Sequence, residues 1–357
     1  MTRAIHVGPV AVGGGAPVSV QTMANRDPHD EAALTEQVKA CAALGADIVR
    51  LTVPDVAAAD VLGRVRRATG VPLVADIHFD HRCALAAIAA GADALRLNPG
   101  NIGGAERVRE VARAAKSRGI PIRVGVNGGS LEKDLMAKYG AATPEALVDS
   151  ALRHVALLEA EGFRDIAVSV KASDVARTLA AYRLLSERCD CPLHLGVTEA
   201  GTFVPGTVRS SVAMGILLAE GVGDTIRVSL TDAPEKEVRV GVEILRSLGL
   251  RQAGPAVTSC PTCGRTQADV FRVAAEVETA LERLHQARRS GGSAARMPHV
   301  AVMGCVVNGP GEAQAADIAL CGGKGVFMVY ERGVRVATVP ESEAVEAVVS
   351  RVEAMMA

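Results

Sequence analysis

The stretch from residue 72 to residue 127, PLVADIHFDHRCALAAIAAGADALRLNPGNIGGAERVREVARAAKSRGIPIRVGVN, alternates short segments rich in β-branched residues with helical segments rich in Ala. We predict strands at PLVADIH (72–78), ALRLN (94–98) and IRVGVN (122–127), with helices between them. Strands and helices that alternate at this spacing are typical of βαβ units in a parallel sheet. The stretch therefore predicts an α/β fold.

The same pattern continues on both sides of this stretch. The further candidate strands are VSVQTM (18–23), DIVRLTV (47–53), IAVSVK (166–171), LHLGVT (193–198) and TIRVSL (225–230). Consecutive strands begin about thirty residues apart, the length of one βαβ unit, and eight units close a TIM (β/α)8 barrel. The segment VGGGAP (12–17) precedes a strand, so we interpret it as a hairpin turn at the barrel base rather than a phosphate loop.

The barrel pattern stops near residue 250, and RQAGPAV (251–257) has the composition of a linker. The rest of the chain contains one predicted helix, then four predicted strands at PHVAVMG (298–304), ADIAL (316–320), GVFMVYE (325–331) and GVRVATV (333–339), and a final helix. We therefore predict a barrel domain at 1–250 and a smaller α+β domain at 251–357. The turn between the last two strands predicts an antiparallel hairpin.

The composition excludes several classes of partner. The formal net charge is -1, and aromatic residues make up 2% of the chain with no Trp, so neither a basic surface nor base-stacking platforms indicate nucleic acid. The sequence contains no uninterrupted apolar segment of membrane-spanning length and no signal peptide. We expect a soluble cytoplasmic protein.

Polar residues alternate along the predicted barrel strands, so they share the inward face. The cations exceed the carboxylates there, although the chain is nearly neutral, and Gly125 and Gly196 leave room on the same face. Buried cations need compensating charge, which predicts an anionic substrate with phosphate or carboxylate groups; internal salt bridges are the alternative. The candidate binding residues are Arg50, Arg96, Asn98, Arg123, Asn127, Lys171, Arg227 and Ser229, and the candidate acid-base residues are Asp76, His78 and Glu199.

Three cysteines are candidate metal ligands in the second domain. Cys260 and Cys263 form a C-x-x-C motif in SCPTCGR, and Cys305 follows in MGCVVNGPGEA. Three thiolates suit a cubane iron-sulfur cluster with one distinctive iron. Glu312, in the same turn as Cys305, is the favoured fourth ligand, with Cys321 as the alternative. Zinc is the main rival metal, although a zinc ribbon normally offers a second C-x-x-C pair.

The other cysteines are expected to be inert. Cys41 and Cys83 lie in predicted Ala-rich helices, and Cys189 and Cys191 precede the seventh predicted strand, at the barrel end away from chemistry.

These motifs, in this order, resemble the bacterial 4-hydroxy-3-methylbut-2-en-1-yl diphosphate synthases of the methylerythritol phosphate isoprenoid pathway. The resemblance spans nearly the whole chain and includes ADIVRLTVP, PLVADIHFD, LRLNPGNIG, RVGVNGGSLE, PLHLGVTEAG, SCPTCGR and MGCVVNGPGEA. It implies a [4Fe-4S] cluster bound by Cys260, Cys263, Cys305 and Glu312. It also implies a barrel that binds 2-C-methyl-D-erythritol 2,4-cyclodiphosphate and opens its ring reductively, with two electrons from flavodoxin or ferredoxin.

The resemblance further implies a head-to-tail homodimer, in which the cluster domain of one subunit caps the barrel of the other. We interpret Glu312 as an exchangeable ligand and Glu199 as the proton donor, supported by Asp76 and His78. Two other classes remain open: a pterin-dependent barrel enzyme with a zinc domain, and a non-enzymatic iron-sulfur sensor or electron carrier. The role of Cys321 also stays open.

Overall fold

A computed structural model of the chain describes residues 1–251, 254–290, 296–307 and 309–356. The chain divides into two compact units, Met1–Arg251 and Gln252–Ala357.

The first unit begins with a short antiparallel hairpin formed by β1 (Ile5–Val7) and β2 (Val10–Val12). Its turn lies at Gly8, whose φ of 57° favours glycine. The prediction of a hairpin turn at 12–17 is therefore wrong in position: these residues follow β2 and lead into the barrel. The apolar side chains of the hairpin pack on Ile48 and Val74, at the starts of barrel strands, and close that end of the barrel.

Eight parallel strands form the barrel, which confirms the predicted TIM fold. They are β3 (Ser19–Met23), β4 (Ile48–Thr52), β5 (Leu73–Asp76), β6 (Ala94–Leu97), β7 (Ile122–Asn127), β8 (Ile166–Lys171), β9 (His194–Leu195) and β10 (Thr225–Ile226). Strand β3 pairs with both β4 and β10, and β10 pairs with β9. A parallel bridge between Val168 and Leu193 joins β8 to the segment before β9 and completes the ring.

Helices cover the outside of this ring. They are α1 (Glu31–Ala43), α2 (Val56–Thr69), α3 (His81–Ala90), α4 (Ala105–Arg118), α5 (Lys133–Tyr139), α6 (Pro144–Glu159), α7 (Val175–Arg188), α8 (Phe203–Ala219) and α9 (Pro234–Ser247). Side-chain caps fix several of their starts. For example, Thr143 accepts a hydrogen bond from the amide of Ala146, with Pro144 at the first helical position.

The seventh and eighth strands are shorter than the predicted LHLGVT and TIRVSL. The regular ladder ends after Leu195 and Ile226, although the Arg227 amide still donates to the Leu195 carbonyl at 2.9 Å. At Gly196 the backbone passes against a buried side chain and a neighbouring carbonyl. A Cβ atom there would lie 2.7 Å from Lys171 Nζ and 2.7 Å from the Arg227 carbonyl oxygen. A side chain at position 196 would therefore collide with Lys171 and with the Arg227 carbonyl.

The second unit has one five-stranded sheet in the order β11-β12-β13-β14-β15. The strands are β11 (Ala256–Ser259), β12 (His299–Met303), β13 (Ile318–Gly323), β14 (Val326–Glu331) and β15 (Val334–Pro340), and the helices are α10 (Val270–Ser290), α11 (Gly309–Glu312) and α12 (Ala344–Met356). The first three strands are parallel, and the last two pairs are antiparallel, as predicted for the final hairpin.

Strand β11 is absent from the predicted set, and it begins inside the predicted linker at 251–257. Residues 252–253 of that segment lie outside the described residues. The strand escaped prediction because it has only four residues, mostly exposed, and lacks an alternating apolar pattern. Within the described chain, no helix has the length and apolar composition needed to cross a membrane.

Candidate active site

The barrel strands bring five predicted polar residues together inside the carboxyl-terminal half of the barrel. Asp76 ends β5, and its register partner on β6 is Arg96, which in turn is paired with Arg123 on β7. Arg50 lies on β4 and Lys171 ends β8. The relative exposure of Arg50, Arg123 and Lys171 is 9%, 6% and 7%. This interior layer is cationic, with Asp76 as its carboxylate.

Asp76 is surrounded by cations. Its Oδ1 atom lies 3.4 Å from Arg96 Nη1, and its Oδ2 atom lies 3.8 Å from His78 Nε2. Burial disfavours the ionised carboxylate, but the combined charges of Arg50, Arg96, His78 and Arg123 outweigh burial and lower the pKa of Asp76 below its usual value. Asp76 is therefore ionised at neutral pH, and this one carboxylate is shared among several positive groups.

The buried cations have mainly neutral hydrogen-bond partners. The Arg50 guanidinium contacts the Met23 thioether sulfur at 2.9 and 3.2 Å. Arg123 donates to the Ser169 hydroxyl at 3.2 Å and to the Gln21 amide oxygen at 3.3 Å. Thioethers and neutral oxygens are weak substitutes for a carboxylate or phosphate.

Burial accordingly disfavours the charged forms of these residues. It lowers the pKa of Arg50 to about 10 and lowers the pKa of Arg123 well below its usual value. The pKa of Lys171 is also lowered well below its usual value, first by burial and then by repulsion from Arg123 and Arg227. An anion bound among these groups would relieve the repulsion and restore their ordinary charge.

Arg227 departs from this pattern. Its Nη2 atom lies 3.4 Å from both carboxylate oxygens of Glu237, a buried residue of α9. Glu237 also accepts hydrogen bonds from the Thr22 hydroxyl and the Leu230 amide, each at 2.9 Å. The salt-bridge alternative considered from the sequence thus holds for Arg227. Glu237 was not among the predicted site residues, because only the tertiary fold brings this helical residue to the strands.

Gly125 and Gly196 provide space inside the barrel, and cationic side chains occupy it. A Cβ atom on Gly125 would lie 2.6 Å from Arg96 Nε, and a Cβ atom on Gly196 would lie 2.7 Å from Lys171 Nζ. Arg96 also donates to the Gly125 carbonyl at 3.0 Å. The two glycines therefore determine where two of the cations can lie.

The remaining predicted residues lie at the strand ends, around the mouth. Asn98 is buried and accepts a hydrogen bond from the Gly125 amide at 3.0 Å. Asn127 Oδ1 accepts from the Thr198 hydroxyl at 3.4 Å. His78 is half exposed, and Ser229 is partly exposed beyond the end of β10. These positions form the rim of the cationic layer.

Glu199 has an unusual backbone conformation. It is exposed in the turn after β9 and has a φ of 53°, in the left-handed region that non-glycine residues rarely adopt. Conformations of this kind concentrate at functional sites, where the surrounding structure holds them.

A buried histidine beneath the mouth was not among the predicted site residues. His154 on α6 accepts a hydrogen bond from the Gly100 amide at its Nδ1 atom, at 3.2 Å, and its Nε2 atom lies 3.2 Å from a Glu132 carboxylate oxygen. A Cβ atom on Gly100 would lie 2.6 Å from the imidazole ring. Burial lowers the pKa of His154. This contact connects the loop after β6 to the segment after β7.

The second candidate site lies at the carboxyl ends of β11 and β12. Cys260 directly follows β11, and its amide donates to the Val302 carbonyl at 3.0 Å. The Gly304 amide, just beyond β12, donates to Cys260 Sγ at 3.3 Å. Cys305 is the next residue, so adjacent parallel strands bring the predicted cysteines to one edge of the sheet.

Arg265 provides positive charge at this edge. Hydrogen bonds from the Arg265 amide and side chain lower the pKa of Cys263, and the charges of Cys263 and Cys305 both favour the Arg265 guanidinium. Thr262 has a φ of 66°, which turns the chain between the two cysteines of the C-x-x-C motif. The thiolate form of Cys263, one of the predicted metal ligands, is thus favoured.

The turn that follows Cys305 packs against Cys321. A Cβ atom on Gly309 would lie 2.6 Å from Cys321 Sγ. Cys321 is fully buried, and burial together with the nearby Cys305 raises its pKa to about 11. Glu312 ends α11, and its side chain lies outside the described residues.

The cysteine site offers thiols of the kind that hold an iron-sulfur cluster. Among the described side chains, no three His, Cys, Asp or Glu groups lie close enough together to hold one metal ion. The amide that donates to Cys260 Sγ is also the kind of group that surrounds cluster sulfurs. The three thiols and this amide therefore suit an iron-sulfur cluster.

The fold and the two sites define a class: a TIM barrel with a cationic interior, joined to a smaller α+β unit that carries the three cysteines predicted to bind a metal. Two family models match the chain, the GcpE TIM-barrel domain over residues 2–242 and the GcpE protein C-terminal domain over residues 256–354. The chain belongs to the GcpE family of 4-hydroxy-3-methylbut-2-en-1-yl diphosphate synthases and is an oxidoreductase.

Two similar relatives are both named 4-hydroxy-3-methylbut-2-en-1-yl diphosphate synthase (flavodoxin). The protein of Geobacter sulfurreducens is 53% identical over 356 residues, covering 100% of this chain and 98% of the relative. That of Symbiobacterium thermophilum is 52% identical over 353 residues, covering 99% and 92%. The sequence resemblance is thereby confirmed over the full length of the chain.

Among solved structures, the barrel resembles the dihydropteroate synthase of Yersinia pestis. The TM-score is 0.51 with 16% sequence identity, and the match covers 70% of this chain and 98% of that one. At this identity the likeness concerns the fold alone.

Proposed function

We propose that this chain catalyses the reductive ring opening and dehydroxylation of 2-C-methyl-D-erythritol 2,4-cyclodiphosphate to 4-hydroxy-3-methylbut-2-en-1-yl diphosphate. The names of the relatives and the cationic interior of the barrel both support this reaction. The observation that carries the proposal is Lys171, which is buried among arginines that repel it. A cyclic diphosphate supplies the negative charge that this arrangement needs.

The binding step follows from the cations and their present partners. Arg50 and Arg123 exchange a thioether sulfur and neutral oxygens for phosphate oxygens, which are stronger acceptors for their guanidinium groups. Lys171 contributes a compact charge from β8. The rim residues orient the rest of the substrate, and the full proposed binding set is Arg50, Arg96, Asn98, Arg123, Asn127, Lys171, Arg227 and Ser229.

The proposed resident cofactor is a [4Fe-4S] cluster held by Cys260, Cys263, Cys305 and Glu312. When bound, it supplies the two electrons that the reaction consumes, and the proposed donor to it is flavodoxin, as in the names of the relatives, or ferredoxin. Arg265 supports this assignment, because its hydrogen bonds and charge favour the thiolate form of Cys263.

Glu199 is the proposed proton donor. It is exposed at the mouth in a strained conformation, so its carboxyl group is placed by the loop rather than by packing. Asp76 stays ionised beside Arg96 and is the less suitable donor; together with His78 it positions the arginines. A Glu199→Gln enzyme should keep its cluster and substrate affinity and lose most of kcat, and normal turnover would contradict the role.

We also propose a head-to-tail homodimer in the cytoplasm. Helix α8 presents an exposed apolar stripe suited to burial against a second copy, formed by Val204, Val208, Val212 and Ile216. All eight cysteines are free thiols, as is usual in a reducing compartment. Light scattering should give the mass of a dimer for the wild type and of a monomer for Val208→Asp; a dimeric Val208→Asp variant would exclude this face.

The test of the reaction is anaerobic purification followed by incubation with the cyclic diphosphate and a strong reductant. We expect cluster absorbance and formation of the allylic diphosphate. An electron carrier would show the cluster without product, and a zinc enzyme would show neither.

A further inference from the structure

Cys189 and Cys191 lie side by side at the amino-terminal end of the barrel. Cys189 follows α7, and its backbone is extended, with φ -145° and ψ 155°. Residues two apart in a chain have Cα atoms no more than about 7 Å apart, close to the upper end of the range that disulfides span. The two thiols interact, and each shifts the pKa of the other.

Cys189 and Cys191 differ in their access to solvent. Cys191 is fully buried in the packing between the strands and helices. Cys189 is partly exposed and lines a surface cavity of about 650 Å³, together with Met1, Glu187 and Asp224. A small reagent from solvent therefore reaches Cys189 first.

Arg3 holds the segment that carries both thiols. Its amide donates to the Asp190 carbonyl at 2.7 Å, and its guanidinium pairs with the carboxylates of Asp190 and Glu159. The hydrogen bond from Cys191, with a smaller contribution from the Arg3 charge, lowers the pKa of Cys189 to about 7. Cys189 is consequently a partly exposed thiol with substantial thiolate character at neutral pH.

The helical cysteines provide an internal contrast. Cys41 and Cys83 are buried, and burial raises the pKa of Cys41 to about 12 and raises that of Cys83. Neither has a thiol at the sequence spacing of the C-x-C motif. Cys189 and Cys191 therefore have surroundings different from those of Cys41 and Cys83, and the expectation that all four are inert does not extend to them.

We propose that Cys189 and Cys191 form a peroxide-sensitive dithiol that closes to an intramolecular disulfide. The Cys189 thiolate attacks one oxygen of hydrogen peroxide, the O–O bond breaks, and the products are a sulfenic acid and a hydroxide that is protonated to water. The Cys191 sulfur then attacks the sulfenic sulfur and releases a second water. Two thiols are oxidised, one peroxide is reduced, and a dithiol reductant restores the starting state.

Tryptic digestion isolates this motif. Cleavage after Arg188 and Arg209 releases residues 189–209, and Cys189 and Cys191 are the cysteines of this peptide. The anaerobic holoenzyme would be titrated with hydrogen peroxide, alkylated under denaturing conditions and analysed by mass spectrometry. We expect the peptide to lose both alkylation sites and two hydrogen atoms before Cys83 reacts, and to recover both sites after dithiothreitol.

Variants test whether Cys189 reacts with peroxide and whether Cys191 then closes the disulfide. In Cys189→Ser, Cys191 should remain alkylatable over the same titration, and Cys83→Ser should oxidise at 189–209 like the wild type. The proposal is overturned if Cys83 oxidises first, or if Cys189 proceeds to sulfinic acid without a disulfide. The mass-spectrometric measurement does not depend on enzyme turnover. The wild-type titration alone remains decisive if a substitution of the buried Cys191 prevents folding.

Discussion

The two ends of the barrel treat charge in opposite ways. At the amino-terminal end, Asp93 immediately precedes a strand, accepts a hydrogen bond from the Leu73 amide at 2.8 Å, and pairs with Arg66. Asp47 does the same with the Val20 amide at 2.7 Å and with Arg251 at 3.0 Å. At the mouth, Arg50 instead contacts a thioether.

The difference shows that the charge imbalance at the mouth is local. Asp224 repeats the amino-terminal arrangement, accepting from the Leu193 amide at 2.8 Å and from the Thr2 hydroxyl at 2.7 Å. At the amino-terminal end, carboxylates therefore accept hydrogen bonds from strand amides and pair with cations, and they do so away from the substrate site. At the other end, cations are buried with few carboxylates, which favours a ligand and reduces stability in its absence.

Replacing Lys171 should give the largest effect. In Lys171→Met the charge is lost and the stem is kept, so we expect kcat/KM for the cyclic diphosphate to fall roughly a hundredfold, the equivalent of one charge-assisted hydrogen bond. The free energy of unfolding should stay the same or rise, because a repelled buried cation has gone. Steady-state kinetics and urea unfolding measure the two effects. Lys116→Met, at a surface lysine, is the control, and unchanged kcat/KM in Lys171→Met would contradict the mouth as a binding site.

Asp93→Asn should show the reverse behaviour at the other end. Arg66 would lose its carboxylate, and we expect a loss of about 2 kcal/mol in the free energy of unfolding, typical of a charged hydrogen bond. Because Asp93 is remote from the mouth, kcat/KM should not change. Glu243→Gln, at an exposed carboxylate, provides a matched control, and a large fall in kcat/KM without a loss of stability would overturn the comparison.

Stability should also fall in mild acid through His194. Burial, and then the charges of Arg123 and Lys171, lower the pKa of His194 well below its usual value. The unfolded state therefore binds a proton that the folded state does not, so this contribution is complete above pH 6.5 and declines below it.

Between about pH 7.5 and 5.5 we expect the wild type to lose roughly 1 kcal/mol more than His194→Gln. Urea unfolding at the two values measures the difference. His6→Gln, at an exposed histidine, should keep the wild-type dependence; equal losses in the wild type and His194→Gln would exclude His194 as the source.

Arg251→Gln should give the smallest effect. Arg251 forms two contacts with Asp47, at 3.0 and 3.1 Å, but both side chains are partly exposed. We expect a loss below about 1 kcal/mol in the free energy of unfolding and no change in kcat/KM. A loss as large as that of Asp93→Asn would show that the greater exposure of the Asp47 carboxylate does not weaken its ion pair.

The barrel and the inward direction of its polar residues follow from the period of two along each strand, so Asp76, Arg96 and Arg123 are predictable from local pattern. Glu237 and His154 are not, because each lies on a helix and acquires its role only through contacts with distant strands and loops. Strand β11 is missed because its exposed residues lack an apolar period. The turn at Gly8 is missed because a triplet of glycines nearby gives a stronger turn signal.

The family could be recognised from the motifs, and the comparisons confirm it. The assignments of individual ligands remain predictions, since proximity of Cys260 and Cys305 at one sheet edge is compatible with more than one donor set. Cys321 is an example: it is the alternative fourth ligand in the sequence analysis, and a Cβ atom on Gly309, in the turn after Cys305, would lie 2.6 Å from its sulfur.

The hairpin at the amino-terminal end has a practical consequence for measurements. With Ile5, Val7 and Val12 packed over that end, the mouth is the route by which ions exchange with the interior cations. Sulfate, phosphate and diphosphate in a buffer would therefore compete with the substrate for the same positive groups. Affinities measured in such buffers should be weaker than those in a weakly coordinating monovalent salt at equal ionic strength.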